Sequence, residues 1–300
     1  MNSFENFSFE YGVSEQITPL VKRVIAKNPG PFTYTGTGTF IVGTKELAVI
    51  DPGPIDNNHL NAIIKACGKS KISHIIITHT HNDHSPLSKP LQKKTGAPIY
   101  SFLNKNIDTK TDNQFEEGYD NSFKPDVVIK DGDLIKGYDW TLEAIHTPGH
   151  TSNHMCYSLA EESILFSGDH VMGWSTTVIV PPDGDMDEYL KSLEKLLDRN
   201  HQMYLPTHGT QIDDPHDLVN KYIEHRNNRE DQIIKVIKSG SSMISEMVKI
   251  IYSDVDPGLH PAASMSTLAH LNRMVKNKII KVEGTGLKGN YSIFKGIKKI

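Results

Sequence analysis

Residues 74–84 read HIIITHTHNDH, an apolar β-type run that passes directly into three histidines and an aspartate within seven positions. In a chain with 15 histidines, a spaced HxHxDH pattern is expected by chance only about 3 times in 1000 sequences of this length, so composition does not account for it. The run HIIIT is short, unbroken and β-branched, as a strand buried on both faces would be. His79 and His81, two apart in extended chain, project to the same side and can hold one cation. Asp83 and His84 follow where the chain turns toward a helix, and point toward a second position. The chain is therefore constrained to a fold in which a buried strand delivers ligands at its end.

Such a cluster leaves each cation short of ligands, because zinc ordinarily takes four, one of them water in a catalytic site. Three further candidates lie downstream: His150 in TPGHT, Asp169 in SGDH and His208 in PTHG. Each ends a β-type run beside glycine, where the backbone can turn tightly. Cys67 and Cys156 show no CxxC spacing and are too few for a disulfide framework, so nitrogen and oxygen ligands and a reducing, cytoplasmic compartment are expected. MNSFENFSFE has neither the basic start nor the apolar core of a signal segment. No run of about 18 apolar residues suggests a membrane span.

Two textures divide the chain. From residue 33 to about 210, runs such as TFIVG, LAVID, HIIIT, APIY, DVVI, LEAIHT, HMCYSL and SILFSGD alternate with turns and with helical segments at 57–67, 85–96 and 186–200. This is a sheet-rich α/β pattern. Ser85 and Pro86 mark the start of the second helix, and residues 104–126 read as a long surface loop. After about 215 the pattern becomes helical: 217–238, then MISEMVKIIYSD, then PAASMSTLAHLNRMVKNK, and finally two β-type runs around a Gly-rich turn in KIIKVEGTGLKGNYSIF. Helices followed by a hairpin fit a winged helix-turn-helix. Two domains are expected, 1–220 and 221–300.

Charge follows the same division. Residues 226–300 carry 13 Lys and Arg against 6 Asp and Glu, a net of +7, which leaves 19 against 30, or −11, for the rest. A polyanion partner and a solvated basic helical face are equally compatible with that asymmetry.

HxHxDH at 79–84, with His150, Asp169, His208 and an early strand ending in IDPG at 50–53, resembles the metallo-β-lactamase superfamily over about residues 30–210. The resemblance implies an α/β fold, an αββα sandwich with metals at one edge, here followed by a C-terminal winged-helix domain. It implies that His79, His81 and His150 bind a first metal and Asp83, His84 and His208 a second. Asp169 would bridge them, and Asp51 would support the ligand loop. The C-terminal run from HGTQIDDPHDLVNKYIEHRNNRE onward looks like the lactamase-β-like protein 2 subgroup, which implies two Zn2+ and single-stranded RNA as substrate; iron or manganese fits the same ligands. PTHG stands where that family has PGHG.

The function expected from these features is a dinuclear metal-dependent hydrolase, with a metal-bridging hydroxide of lowered pKa attacking a phosphodiester. Asp83 or Asp169 would orient the nucleophile, and His154, four residues after His150, is a candidate proton donor. Ser175, Thr176 and Thr177 are candidate substrate contacts or simply a polar loop. Arg273, Lys276, Lys278, Lys281 and Lys288 would suit phosphates. One alternative is hydrolysis of a thioester or other small ester, as in the glyoxalase II branch; another is a nucleic-acid-binding or iron-bearing redox module. A homodimer is compatible with the chain. His74 reads as structural, and His59, His201, His216, His225, His260 and His270 as surface residues. Arg226 and Arg229 would touch a nucleic-acid backbone or fix the domain junction.

Overall fold

A computed structural model describes residues 8–103, 118–120 and 122–294. Seven strands form the first sheet in chain order: β1 (Ser14–Thr18), β2 (Val21–Ile25), β3 (Gly38–Val42), β4 (Glu46–Ile50), β5 (Lys71–Ile76), β6 (Ile99–Ser101) and β7 (Val127–Val128). The first four pair antiparallel; β4 to β7 run parallel, with α1 (Asn57–Cys67) and α2 (Ser88–Thr95) as crossovers. The second sheet holds β8 (Leu134–Lys136), β9 (Thr141–His146), β10 (Met155–Leu159), β11 (Ile164–Gly168) and β12 (Met203–Pro206), the last joined in parallel through α3 (Met186–Leu197).

Period-two alternation explains the layers. In β4, Ala48 and Ile50 face the second sheet, while Leu47 and Val49 face outward onto Leu60 and Ile63 of α1. The inner layer joins Phe40, Ile50 and Ile76 to Leu142, Tyr157 and Phe166. On the far side, Ile145, Cys156 and Leu165 pack on Tyr189 and Leu193 of α3 and on Val219 and Tyr222 of α4 (Pro215–Lys238). The order is helix, sheet, sheet, helix.

A fourth core closes the C-terminal part: Ile233, Val236 and Ile237 of α4, with α5 (Ile244–Ile251), α6 (His260–Lys276) and the antiparallel hairpin β13 (Ile280–Glu283) and β14 (Asn290–Ile293). This is the expected helix and wing arrangement. The expected boundary at 220 and 221 falls inside α4, whose first half serves the sandwich and whose second half serves the fourth core.

Several expectations change. Strands β1 and β2 precede the strand texture anticipated from residue 33; SEQIT is a polar, largely exposed edge, and Lys22 and Arg23 interrupt VKRVI. The second helix starts at Ser88 rather than Ser85. His84 and Ser85 N–H both donate to His81 O, and Leu87 N–H donates to Gly53 O, so tertiary bonds hold the first turn away from α2. Of the loop expected at 104–126, residues 104–117 and 121 lie outside the described residues. Both cysteines are buried and unpaired. Among the described residues, no helix is long and apolar enough to cross a membrane.

The basic C-terminal face is also different. Arg273 pairs with Glu230 at 2.6 Å and approaches Asp187 at 3.5 Å; Lys276 lies 3.0 Å from Asp187. Burial opposes the Asp187 charge, yet Lys276 and Lys191 hold its pKa down at about 2. These cations pair across α6, α3 and α4, Arg273 partly buried and Lys276 still exposed. Lys281 lies 3.7 Å from Glu283, while Lys278 and Lys288 remain exposed.

Trp140 fills the sheet-to-sheet layer at one end, 1% exposed, with Nε1–H donating to Glu46 O at 2.6 Å. Trp140→Ala is expected to cost about 3–5 kcal/mol of folding stability, read by denaturant unfolding at constant metal concentration.

Candidate metal centre

The carboxyl ends of β4, β5, β9, β11 and β12 converge on one edge of the sandwich, where backbone leaving the sheets can present side chains to a common point. Asp51 directly follows β4, fully buried and in the left-handed region at φ 48°. Its Oδ1 accepts from Thr78 N–H at 2.8 Å. Its Oδ2 accepts from Thr78 Oγ1 at 2.7 Å, His84 Nδ1 at 2.8 Å and Thr207 Oγ1 at 3.2 Å. Thr207 is the residue that replaces the expected glycine of PGHG, and it adds a donor to this carboxylate. With Nδ1 so engaged, His84 turns Nε2 toward the interior of the site.

Two clusters result. In the first, His79 Nε2 lies 2.9 Å and His150 Nε2 3.1 Å from His81 Nδ1. His150 donates from Nδ1 to Val178 O at 2.7 Å, which leaves Nε2 as its ligand atom. Burial, then the neighbouring His84, His81 and His150, hold the His79 pKa well below its ordinary value. Three imidazoles pointing inward suit a borderline Lewis acid.

In the second cluster, His208 Nε2 is 3.0 Å from Asp83 Oδ2 and 3.4 Å from Asp169 Oδ1. His84 Nε2 is 3.3 Å and 3.5 Å from the same two oxygens. The other oxygen of Asp169 looks toward the first cluster, 3.8 Å from His150 Nε2. Within each cluster the donor atoms lie within 4.8 Å of one another, and all seven side chains are buried. The Nε2 atoms of His84 and His208 and the Oδ1 atoms of Asp83 and Asp169 make no hydrogen bond of ordinary geometry. Buried polar atoms of that kind are costly unless a cation completes them, so the residues fit divalent metal ions. The site is arranged to bind metal.

The charge balance supports this. Burial disfavours a charged His208, but Asp169 and Asp83 outweigh it and lift its pKa to about 10. His84 is likewise raised, burial being outweighed by Asp83, Asp169 and Asp51, and both Asp83 and Asp169 stay well below the carboxylate range. Without metal, protons on the imidazoles balance the carboxylates.

His154, the candidate proton donor, has both ring nitrogens engaged. It is fully buried; Nδ1 meets Thr147 Oγ1 at 2.9 Å, and Nε2 accepts from Asp169 N–H at 3.1 Å. A nitrogen that accepts a backbone N–H carries no proton to give. Burial, and then His170 and His150, keep this imidazole neutral. Gly168, at φ 53°, permits the contact, since a Cβ there would sit 2.6 Å from His154 Nε2.

Thr177 also turns inward, its hydroxyl donating to Asp169 O at 2.8 Å, so it is no substrate contact. His59 and His270, expected at the surface, are buried: His59 Nε2 meets Thr39 Oγ1 at 2.8 Å, and His270 Nδ1 meets Glu230 Oε1 at 3.3 Å. Tyr119 lies in the stretch read as surface loop, yet its ring centroid is 4.7 Å from that of His81, and its hydroxyl donates to Asp183 at 3.1 Å. A lone tyrosine in a polar stretch carries no periodic signal, so sequence reasoning passes over it.

Two outcomes are expected. Asp51→Asn should weaken binding of the ion held by His84 by about 10–100-fold in a chelator competition. Loading metal-free protein at pH 7.5 should release about two protons, because the neighbouring carboxylates raise His84 well above its ordinary pKa and lift His208 to about 10, so both imidazoles carry a proton that a metal displaces. Calorimetry in buffers of different ionisation enthalpy reads that release.

Known proteins carry the same features. The metallo-beta-lactamase superfamily matches residues 34–208, and the beta-lactamase associated winged helix domain matches 244–288. A beta-lactamase-like protein 2 homolog of Caenorhabditis elegans is 33% identical over 276 residues, covering 89% of this chain and 88% of that one. An atrochrysone carboxyl ACP thioesterase of Claviceps purpurea is 31% identical over 249 residues, covering 80% and 74%. A beta-lactamase domain protein from Burkholderia ambifaria has the same fold, with a TM-score of 0.81, 16% identity and coverage of 97% and 96%. On the strength of its sandwich, its two donor clusters and these matches, the chain belongs to the metallo-beta-lactamase superfamily, and it is a metal-dependent hydrolase with a C-terminal winged-helix domain.

Proposed function

We propose that this chain is a two-zinc hydrolase whose substrate is an acyl thioester or a closely related small ester. The carrying observation is the pair of donor clusters with Asp169 turned toward both. In this reading His79, His81 and His150 hold one ion, Asp83, His84 and His208 the other, and Asp169 lies between them. Bound there, the ions supply a water of lowered pKa and polarise the bond under attack. The chain's own residues do the rest. Asp51 and Val178 O fix which imidazole nitrogen faces the site. Asp83, kept ionised by His84 and His208 against its burial, accepts the hydrogen bond of the attacking water and orients it.

The leaving group favours the thioester. A thiol has a pKa near 8.5 and departs as thiolate near neutrality, so it does not need the proton that His154 is unable to give. The relative from Claviceps purpurea, by its name a thioesterase, supports the same chemistry. Single-stranded RNA is the second reading. It is favoured by exposed Lys278 and Lys288, but Arg273 and Lys276, the strongest part of the basic face, are engaged by Asp187 and Glu230.

A side-by-side assay decides between them. An acyl N-acetylcysteamine thioester should be hydrolysed, with activity lost to a chelator and restored by zinc; cleavage of labelled single-stranded RNA with the thioester intact reverses the reading. Asp83→Asn is expected to lower kcat by about 10²-fold or more. His154→Gln should keep the shape of the pH–rate profile, whereas loss of one limb would return His154 to the role of proton donor.

A further inference from the structure

Helix α4 passes from the sandwich into the C-terminal core, and on the way two of its polar side chains are buried. Tyr222 and Arg226 stand one turn apart and are 1% and 4% exposed. Neither faces the C-terminal core. The Tyr222 hydroxyl donates to Met172 O at 2.8 Å with Ser175 O also against it, and Arg226 donates from Nη2 to Thr177 O. The Arg226 guanidinium also lies 5.5 Å from the ring of Tyr189, whose hydroxyl donates to His170 O at 3.0 Å.

All these acceptors belong to residues 170–177, the segment that follows Asp169 and leads into Val178. Thr177 itself donates from Oγ1 to Asp169 O, and the next carbonyl, Val178 O, accepts from His150 Nδ1. One peptide therefore separates the oxygen gripped by Arg226 from the oxygen that fixes His150.

Arg226 is an expensive choice for filling space. Among the described residues no carboxylate lies within ion-pair distance of it, and its Nε has no acceptor. A buried cation without a counter-charge is unfavourable unless its hydrogen bonds serve something else. Arg229, three residues on, makes no such commitment and lies over Tyr252 at 4.1 Å.

We propose that Arg226 is a positioning residue of the metal centre: by holding Thr177 O it places Val178 O at His150 Nδ1, and so sets the affinity of the three-histidine site from the C-terminal side of the molecule. This rests on the ligand assignment made under Proposed function. Partners of metal-bound imidazoles contribute about 10–100-fold to affinity, and Arg226 acts one peptide further out.

The test is zinc titration of the full-length, metal-free protein against a chromophoric chelator, resolving two dissociation constants. His150→Ala identifies which ion occupies the three-histidine site. Arg226→Gln should weaken that ion about tenfold and leave the other within about threefold. Arg226→Lys, which restores a donor toward Thr177 O, should recover part of the loss, and Arg229→Gln should behave as wild type. Tyr222→Phe keeps the ring and removes only the hydroxyl, and should weaken the same ion to a smaller degree; it serves as the second variant if Arg226→Gln does not fold. Wild-type affinities for both ions in Arg226→Gln, or equal weakening of both that tracks lost thermal stability of the metal-free protein, would overturn the inference while the ligand assignment stands. A wild-type protein that takes up fewer than two ions overturns the assignment and the inference together.

Discussion

Everything at the functional edge depends on one buried carboxylate. Asp51 closes β4, takes the backbone N–H and hydroxyl of Thr78 where β5 ends, the Nδ1 of His84 in the ligand loop, and the hydroxyl of Thr207 beyond β12. Those contacts tie the first sheet, the loop and the second sheet at one point. A carboxylate so deeply buried is tolerable because four donors meet its two oxygens, and each donor is thereby fixed. The same bonds that stabilise Asp51 orient an imidazole.

The molecule repeats this logic on its other side. His150 is held by the carbonyl of Val178 and the Asp169 backbone by the hydroxyl of Thr177, both from one loop, and that loop is gripped by side chains of α4. Since α4 continues into the C-terminal core, the catalytic and C-terminal parts share a helix as well as the ion pairs of Arg273 and Lys276 with Asp187 and Glu230. Helix α6, which in a nucleic-acid reader would be free to enter a groove, here lies against α3 and α4. Its two basic side chains, Arg273 and Lys276, are paired with carboxylates of α3 and α4.

Much of this was legible beforehand because the strands that carry ligands are buried and uninterrupted. HIIIT, LEAIHT and SILFSGD announce themselves as apolar runs, and the ligands follow at their ends. Edge strand β1 escaped because an exposed edge has no apolar face to show. The start of α2 was misplaced because Gly53 and His81 compete for the N–H groups of its expected first turn. Spacing of His154 from His150 cannot show which atom a ring nitrogen meets, here Thr147 Oγ1 and Asp169 N–H. Tyr119 and Arg226 carry no sequence pattern of their own, and become meaningful only through distant partners.

By itself the sequence determined the α/β class and the two-texture organisation and picked out seven candidate donor residues, because periodicity and motif spacing are local properties that survive without coordinates. Tertiary structure alone decided which nitrogen of each imidazole faces the site, that His154 accepts rather than donates, and that the basic helix is neutralised by Asp187 and Glu230. Those outcomes turn on hydrogen bonds and charges between residues tens to more than a hundred positions apart. A charge count along the chain records a lysine or arginine the same way whether solvent or a carboxylate stands in front of it.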